Sequence, residues 1–325
     1  MKKNKGLILL LMVIISALAV TACNTKPLQE GNKEVSKDNS EGKSIDKSIT
    51  IKHELDETTL DKKPEKVIVF DYGVLDALDK MGKDIIGLPK KSIPTYLDKY
   101  KEDKYEDVGS LKEPNFEKIY ELNPDLIIIS GRQAKLYDEF KEIAPTVYLA
   151  IDGEDYIGSF KDNMEILGQI YEEEDLVKAE IEKVESAIND LKKEAEKSDE
   201  NSLLIMANDG DISAYGEGSR FGILHKEFGL TPVDKNIESS THGQKITFEY
   251  IVEQNPDYLF VVDRGVVVGG ETSAEQVLDN DLIKSTKAYK NDRIIYLDAQ
   301  VWYVSSGGFT GTMKMVEEVQ SAITK

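Results

Sequence analysis

The sequence predicts an α/β protein of two Rossmann-like lobes, each built on a central, mostly parallel sheet, joined by one long α-helix with a ligand cleft between them. Three observations carry this. Residues 115–132 (NFEKIYELNPDLIIISGR) return at 247–264 as TFEYIVEQNPDYLFVVDR, identical at eight of eighteen positions. The runs LIII and YLFVV inside the two copies are apolar without alternation, the pattern of strands covered on both faces of a parallel sheet. Residues 172–197 contain neither proline nor glycine, and Val177, Ile181, Val184, Ile188, Leu191 and Ala195 recur at spacings of four and three. That is one helical stripe, and about 26 residues at 1.5 Å each span on the order of 39 Å. A stiff helix of this length joining two lobes predicts a monomer with only small closure; a coiled-coil pairing would need a longer heptad run.

Each copy of the repeat reads as a short amphipathic helix, a turn at Asn-Pro-Asp and a buried strand. Proline keeps the residue before it out of the helical region, so the helix must stop there. Both copies close on an arginine placed just after the strand, Arg132 and Arg264. In open α/β sheets, ligands bind beyond the carboxyl ends of the strands.

Composition narrows the function. Net charge is −20, and loss of residues 1–22 with Lys2, Lys3 and Lys5 would make it −23. A nucleic-acid partner needs a basic face, so this class is excluded. Of the 41 basic residues only Arg132, Arg220, Arg264 and Arg293 are arginines. Against a lysine background, arginine placement is informative, because a guanidinium gives rigid multi-donor recognition of anionic oxygens.

Residues 1–22 have a basic start and an apolar run over 6–20. The run is short for a spanning helix and reads as a secretory signal. It closes on Val20-Thr21-Ala22-Cys23, which resembles the lipobox of bacterial lipoproteins, so Cys23 is the expected lipidation site. Residues 23–47 are rich in Lys, Glu, Ser, Asn and Gly, a flexible tether. The expected division is therefore signal 1–22, tether 23–47, N-terminal lobe 48–165, connecting helix 166–200 and C-terminal lobe 201–325. The expected location is the extracytoplasmic face of the cell membrane, held through a lipid anchor.

Along the first lobe, residues 48–60 alternate and read as a hairpin carrying a structural His53. KVIVF (66–70) is a buried strand followed by a helix through Val74, Leu75, Leu78 and Met81, ended by Gly82. Tyr72-Gly73 follows that strand and is placed to line a cleft. A short strand at 84–88, the first repeat and a last short strand at 146–150 complete the lobe. In the second lobe SLLIMA (202–207) is the first strand. The segment ISAYGEGSRFG (212–222) lacks the Gly-Lys-Ser/Thr of a phosphate loop, yet sets Arg220 just before a helix, where backbone donors also favour anions. SSTHG (239–243) is a polar irregular segment with His242. A glycine loop at 269–270, a strand at 293–298, a loop holding Trp302-Tyr303 and a helix from about 310 follow. Arg293, at a strand start, reads as structural.

These segments together give a family resemblance. The lipobox, the Pro64-x-Lys66-Val67 strand entry, the doubled Glu…Asn-Pro-Asp unit, GEGSRFG and VWYVSSGG resemble those of ABC-importer solute-binding lipoproteins with a rigid helical linker. Within that class the chain is similar to binders of ferric catecholate siderophores of petrobactin or enterobactin type. The resemblance implies no enzyme activity and no intrinsic cofactor, with Fe(III) carried as a siderophore complex. It implies cleft arginines Arg132, Arg220 and Arg264, iron ligation by His242 and Tyr303, and docking on an ABC permease and its ATPase through Glu117 and Glu249. Trp302, Tyr72 and Tyr215 are the aromatic residues expected to pack on the ligand.

Elementary chemistry agrees. A ferric catecholate is a polyanion, and three charge-assisted hydrogen bonds at about 1.5–3 kcal/mol each supply about 5–9 kcal/mol, while a micromolar complex needs about 8 kcal/mol. If a ligand offers four oxygens, octahedral iron keeps two positions that a tyrosinate and a neutral imidazole can fill. The alternative cargoes are a hydroxamate siderophore, haem or a corrinoid; hydroxamate complexes are near neutral and leave three arginines unexplained. An extracellular enzyme is the other alternative, but there is no nucleophile elbow, HExxH or strand-linked GxGxxG.

Overall fold

The structure is a computed structural model describing residues 48–324; the expected signal, Cys23 and tether lie outside the described residues. The chain opens with an antiparallel hairpin, β1 (Ile49–His53) and β2 (Asp56–Leu60), in which Ile49 faces Leu60. His53 Nε2 lies 3.1 Å from the Thr58 hydroxyl and its ring meets Tyr137 edge-on, a structural place.

The first lobe is a five-stranded sheet in the order β5-β4-β3-β6-β7, every pair parallel. Its strands are β3 (Val67–Val69), β4 (Gly87–Leu88), β5 (Glu106–Asp107), β6 (Leu126–Ile129) and β7 (Thr146–Tyr148). All residues of β3 and β6 are buried, which is why neither alternates. Helices α1 (Tyr72–Lys80), α2 (Phe116–Leu122), α3 (Tyr137–Lys141) and α4 (Tyr156–Tyr171) complete the lobe.

The second lobe has the sheet order β11-β9-β8-β12-β13, with β10 alongside β8. Its strands are β8 (Asn201–Asn208), β9 (Asp211–Tyr215), β10 (Thr231–Pro232), β11 (Gln244–Ile246), β12 (Tyr258–Asp263) and β13 (Ile294–Leu297). β10, β12 and β13 run parallel to their partners, but β9 and β11 are antiparallel. This half is a mixed sheet, because Asp209 and Gly210 both take positive φ (49° and 93°) and turn β8 straight back into β9, as a two-residue hairpin requires. Its helices are α6 (Ile223–Lys226), α7 (Phe248–Gln254), α8 (Arg264–Val268), α9 (Ala274–Leu278), α10 (Asp281–Lys284) and α11 (Lys287–Lys290).

The repeated unit has a local cause. Asn123 and Asn255 close α2 and α7 in the left-handed region (φ 48° and 46°), a conformation asparagine tolerates. Proline then bars any helical continuation. The aspartate reaches the start of the neighbouring strand: Asp125 accepts from Lys66 N at 2.8 Å, and Asp257 from Asn201 N at 3.1 Å. Asn-Pro-Asp therefore stops a helix and locks the register of the lobe's first strand in one move.

The connecting helix is α5 (Glu174–Ala195), 22 residues long, burying Val177, Ile181, Val184, Ile188 and Leu191. It begins after the expected 166, because residues 166–171 still belong to α4. The break is at Glu172, left-handed at φ 56°, where neither glycine nor proline announces it. The last helix, α12 (Phe309–Ile323), does not stay with the lobe that precedes it. It packs on α5 and α1, Phe309 meets Phe160 of α4 edge-on at 5.8 Å, and Thr312 Oγ1 lies 3.2 Å from the Tyr156 hydroxyl. The expected second lobe, 201–325, thus ends with a helix lying on the first. One hydrophobic core runs from α1 through α4, α5 and α12 to β12.

Candidate ligand-binding site

Both sheets point the carboxyl ends of their central strands at a cleft of about 1030 Å³. In the first lobe the strand order reverses between the paired strands β3 and β6, a topological switch point where a doubly wound sheet opens a crevice. Asp71 follows β3 and caps α1 by accepting from Gly73 N and Val74 N. Arg132 follows β6 in a 3₁₀ turn (Gly131–Leu136) that Ser130 and Gln133 cap reciprocally. The second lobe repeats the arrangement: Asn208 ends β8, and Arg264 opens α8 directly after β12, with Asp263 capping it. The two arginines are therefore not loop residues but first-turn residues of short helices, held by their caps.

Arg220 comes from the turn before α6. That turn is tight: the Ser219 hydroxyl donates to Gly216 O at 2.6 Å, and a Cβ at Gly222 would lie 2.0 Å from Glu217 O. Tyr303 comes from a π-helical turn (Gln300–Val304), not an open loop; such turns are rare and recur at functional positions.

All three arginines meet at Tyr303. Arg132 Nη2 donates to its backbone carbonyl at 2.6 Å, Arg220 Nη2 donates to the same oxygen, and Arg264 Nε donates to its hydroxyl at 2.9 Å. The guanidinium carbons lie 5.6, 4.4 and 5.6 Å from the ring centroid for Arg132, Arg220 and Arg264. Arg264 Nη1 also donates to Asn208 Oδ1. Burial pushes the Tyr303 phenol up, but the Arg264 hydrogen bond and the charges of Arg220, Arg264 and Arg132 outweigh it and hold the group below its ordinary value. Burial, with the repulsion of Arg132, pushes Arg220 down to about 10, leaving it charged at neutral pH. Asp71 is raised by burial, opposed by the Val74 N–H, the Arg132 charge and the Ser130 hydroxyl.

His242 is exposed and lines the cleft. Tyr215 is fully buried beneath it. The Tyr215 hydroxyl donates to His242 O at 2.9 Å, and Gly243 (φ +74°) sits so close that a Cβ there would lie 2.7 Å from the Tyr215 ring. Tyr215 thus forms the floor of the site and supports the His242 segment. Two expected aromatic residues are not in the cleft. Trp302 is fully buried, with Nε1 donating to Glu318 at 2.8 Å and its rings edge-on to Phe221 and Phe228. Within the π-turn Val301, Trp302 and Val304 are buried and Tyr303 is only partly so, so the residue that faces the cleft is flanked by core residues. Tyr72 is buried at the start of α1, its hydroxyl donating to Pro89 O at 2.8 Å. Arg293 pairs with Glu200 over the Tyr258 ring, away from the cleft. Glu117 and Glu249 occupy the first turns of α2 and α7, both exposed.

Asp71 and Asn208 escaped the reading of the sequence. Each ends or follows the first strand of its lobe and backs the arginine that follows the neighbouring strand. The available signal was position: polar residues at the carboxyl ends of two otherwise apolar strands.

A profile of the family described as periplasmic binding protein matches residues 67–301. The petrobactin-binding protein YclQ of Bacillus subtilis is 49% identical over 325 residues, covering 99% of this chain and 100% of its own. Its crystal structure superposes with a TM-score of 0.84 at 52% identity, covering 86% of this chain and 99% of that one. The iron uptake ABC transporter substrate-binding protein PiuA of Streptococcus pneumoniae gives a TM-score of 0.80 at 42% identity, covering 84% and 98%. The periplasmic catecholate-siderophore binding protein VctP of Vibrio cholerae gives 0.79 at 40%, covering 84% and 99%.

Proposed function

The chain belongs to the periplasmic binding protein family, and on that premise we propose that it binds an iron(III)-catecholate siderophore in the cleft and delivers it to an ABC permease for iron uptake. The observation that carries this reading is the convergence of Arg132, Arg220 and Arg264, from both lobes, on the two oxygens of Tyr303. Guanidiniums gathered this closely repel one another and call for an anion. The similarity to proteins named for petrobactin and for catecholate siderophores supports the same cargo.

Binding works by exchange of partners. The Tyr303 carbonyl and hydroxyl engage the three guanidiniums; catecholate oxygens take over those donors as charge-assisted bonds, each worth about 1.5–3 kcal/mol. A tetradentate ligand leaves two positions on the iron. The Tyr303 phenol, already held below its ordinary value, releases its proton to solvent as its oxygen becomes one ligand, and His242 supplies the other through a neutral ring nitrogen. Tyr215 supports His242 from beneath. The iron arrives and leaves with the siderophore as cargo, and no bond of the siderophore is broken.

The remaining assignments complete the transport role. Glu117 and Glu249 sit at equivalent first-turn positions of the duplicated helices and dock the two lobes on the permease. Residues 1–22 are removed as a signal, Cys23 carries the lipid, and 23–47 is the tether that holds residues 48–165, the connecting helix and the second lobe outside the membrane as a monomer. Titration of the full-length protein with a ferric bis-catecholate and with a ferric hydroxamate tests the cargo. Submicromolar saturable binding of the catecholate alone, with an iron–phenolate charge-transfer band lost in Tyr303→Phe, is expected. Binding of the hydroxamate in preference would reject the catecholate cargo.

A further inference from the structure

The N-cap of α12 is Gly308, which has no side chain to cap the helix. The first N–H groups of a helix need acceptors, and an ordinary helix finds them in a Ser, Thr, Asp or Asn at this position. Here the acceptor comes from the other lobe. Asp76, in the second turn of α1 and buried to 1% exposure, accepts from Gly311 N at 2.8 Å, and the Thr310 N–H and hydroxyl lie against the same carboxylate. These are the donors a local cap would satisfy.

The fit excludes the local alternative. A Cβ at Gly308 would lie 2.3 Å from Asp76 Oδ2 and 2.7 Å from Gly73 O, and a Cβ at Gly73 would lie 2.6 Å from Ser306 O. Backbone packs on backbone across the whole junction, so position is set there with little slack. Between this junction and the cleft lie only residues 304–307, and before them stands Tyr303, whose carbonyl receives Arg132 and Arg220.

We propose that Asp76 is a positioning residue of the binding site: by capping α12 from the opposite lobe it fixes the 303–308 segment and so sets where Tyr303 presents its oxygens to the three arginines. The inference rests on the binding reading given above. The carboxylate is a costly choice for a purely structural role. Burial raises it to about 6 despite the Gly311 and Thr310 hydrogen bonds, with nearby Asp79 adding repulsion. Tyr96 and Tyr156 also face the junction, and neither brings a positive charge to offset it.

The test compares the full-length protein with Asp76→Asn and Gly308→Ala. The first substitution keeps one acceptor in the same shape, while the methyl added by the second leaves the carboxylate intact but displaces it. Each protein is titrated with a ferric bis-catecholate while the iron charge-transfer band is followed, and each is analysed ligand-free by amide hydrogen exchange. Both variants are expected to bind on the order of tenfold more weakly, with a shifted band and faster exchange over 303–308. A residue of structural importance only would move the melting temperature and leave affinity, band and exchange over 303–308 at parental values; that result overturns the proposal. If the parent itself fails to bind the catecholate, the siderophore reading falls separately. Exchange then decides alone: acceleration over 303–308 upholds positioning by Asp76, and parental exchange there overturns it.

Discussion

Arg132 and Arg220 stand in different lobes and donate to the same atom, the carbonyl oxygen of Tyr303. A carbonyl oxygen carries two lone pairs and can accept from both, so one atom ties a guanidinium of each lobe. On the proposed reading, catecholate oxygens compete for these donors with the protein's own oxygen.

Arg220 gives the first prediction. Its guanidinium lies 4.4 Å above the Tyr303 ring and donates past it, a combination of stacking and directed donation that an ammonium cannot reproduce. Arg220→Lys is expected to weaken ferric bis-catecholate binding about 10- to 100-fold, the equivalent of one charge-assisted hydrogen bond, measured by equilibrium titration.

His242 separates two classes of ligand. His242→Ala is expected to weaken a tetradentate ferric bis-catecholate about tenfold and to leave a hexadentate tris-catecholate within about twofold, since the latter leaves iron no open position. Equal losses for both ligands would reject iron ligation by this residue.

Trp302 belongs to the core rather than to the ligand. Trp302→Phe removes the donor to Glu318, whose carboxyl burial already raises, and is expected to cost about 2–4 kcal/mol of stability with calorimetric affinity for the ligand unchanged. Chemical denaturation and titration calorimetry measure the two effects separately.

Asp76 governs a pH dependence of stability. Its folded value, about 6, lies above that of an unfolded aspartate, so the folded chain holds this proton more tightly. The contribution is fully present below the unfolded value and is lost as pH rises through about 6. The span corresponds to roughly 3 kcal/mol. Asp76→Asn is expected to remove that part of the slope in denaturation curves taken between pH 4 and 7.

Much of this was legible in the sequence where one residue has one physical consequence. The duplicated Asn-Pro-Asp announced two equivalent lobes because proline and left-handed asparagine leave few alternatives. The scarcity of arginine pointed to Arg132, Arg220 and Arg264, which the fold does bring together. Asp209-Gly210 also carried a hairpin signal, and passing over it hid the antiparallel β9 and β11. Other features left no local trace. Glu172 breaks the α4–α5 junction in a conformation glutamate rarely adopts, so the helix read as longer than it is. Trp302 and Tyr72 looked suited to a cleft because aromatic residues serve cores and ligands alike, and only packing decides between them. The passage of α12 onto the first lobe brings Asp76 to Gly311, its partner 235 positions away, a distance over which no periodicity speaks.

The enclosure of Trp302 has an optical consequence. The only indole in the chain is sealed from solvent, so a cleft ligand cannot reach it by collision, and resonance energy transfer into the coloured iron complex is the expected route by which binding dims its emission. Gallium(III), of similar size and charge but without that absorption, would then occupy the same site in the dark of the assay, leaving the emission bright while heat release on mixing reports the same affinity.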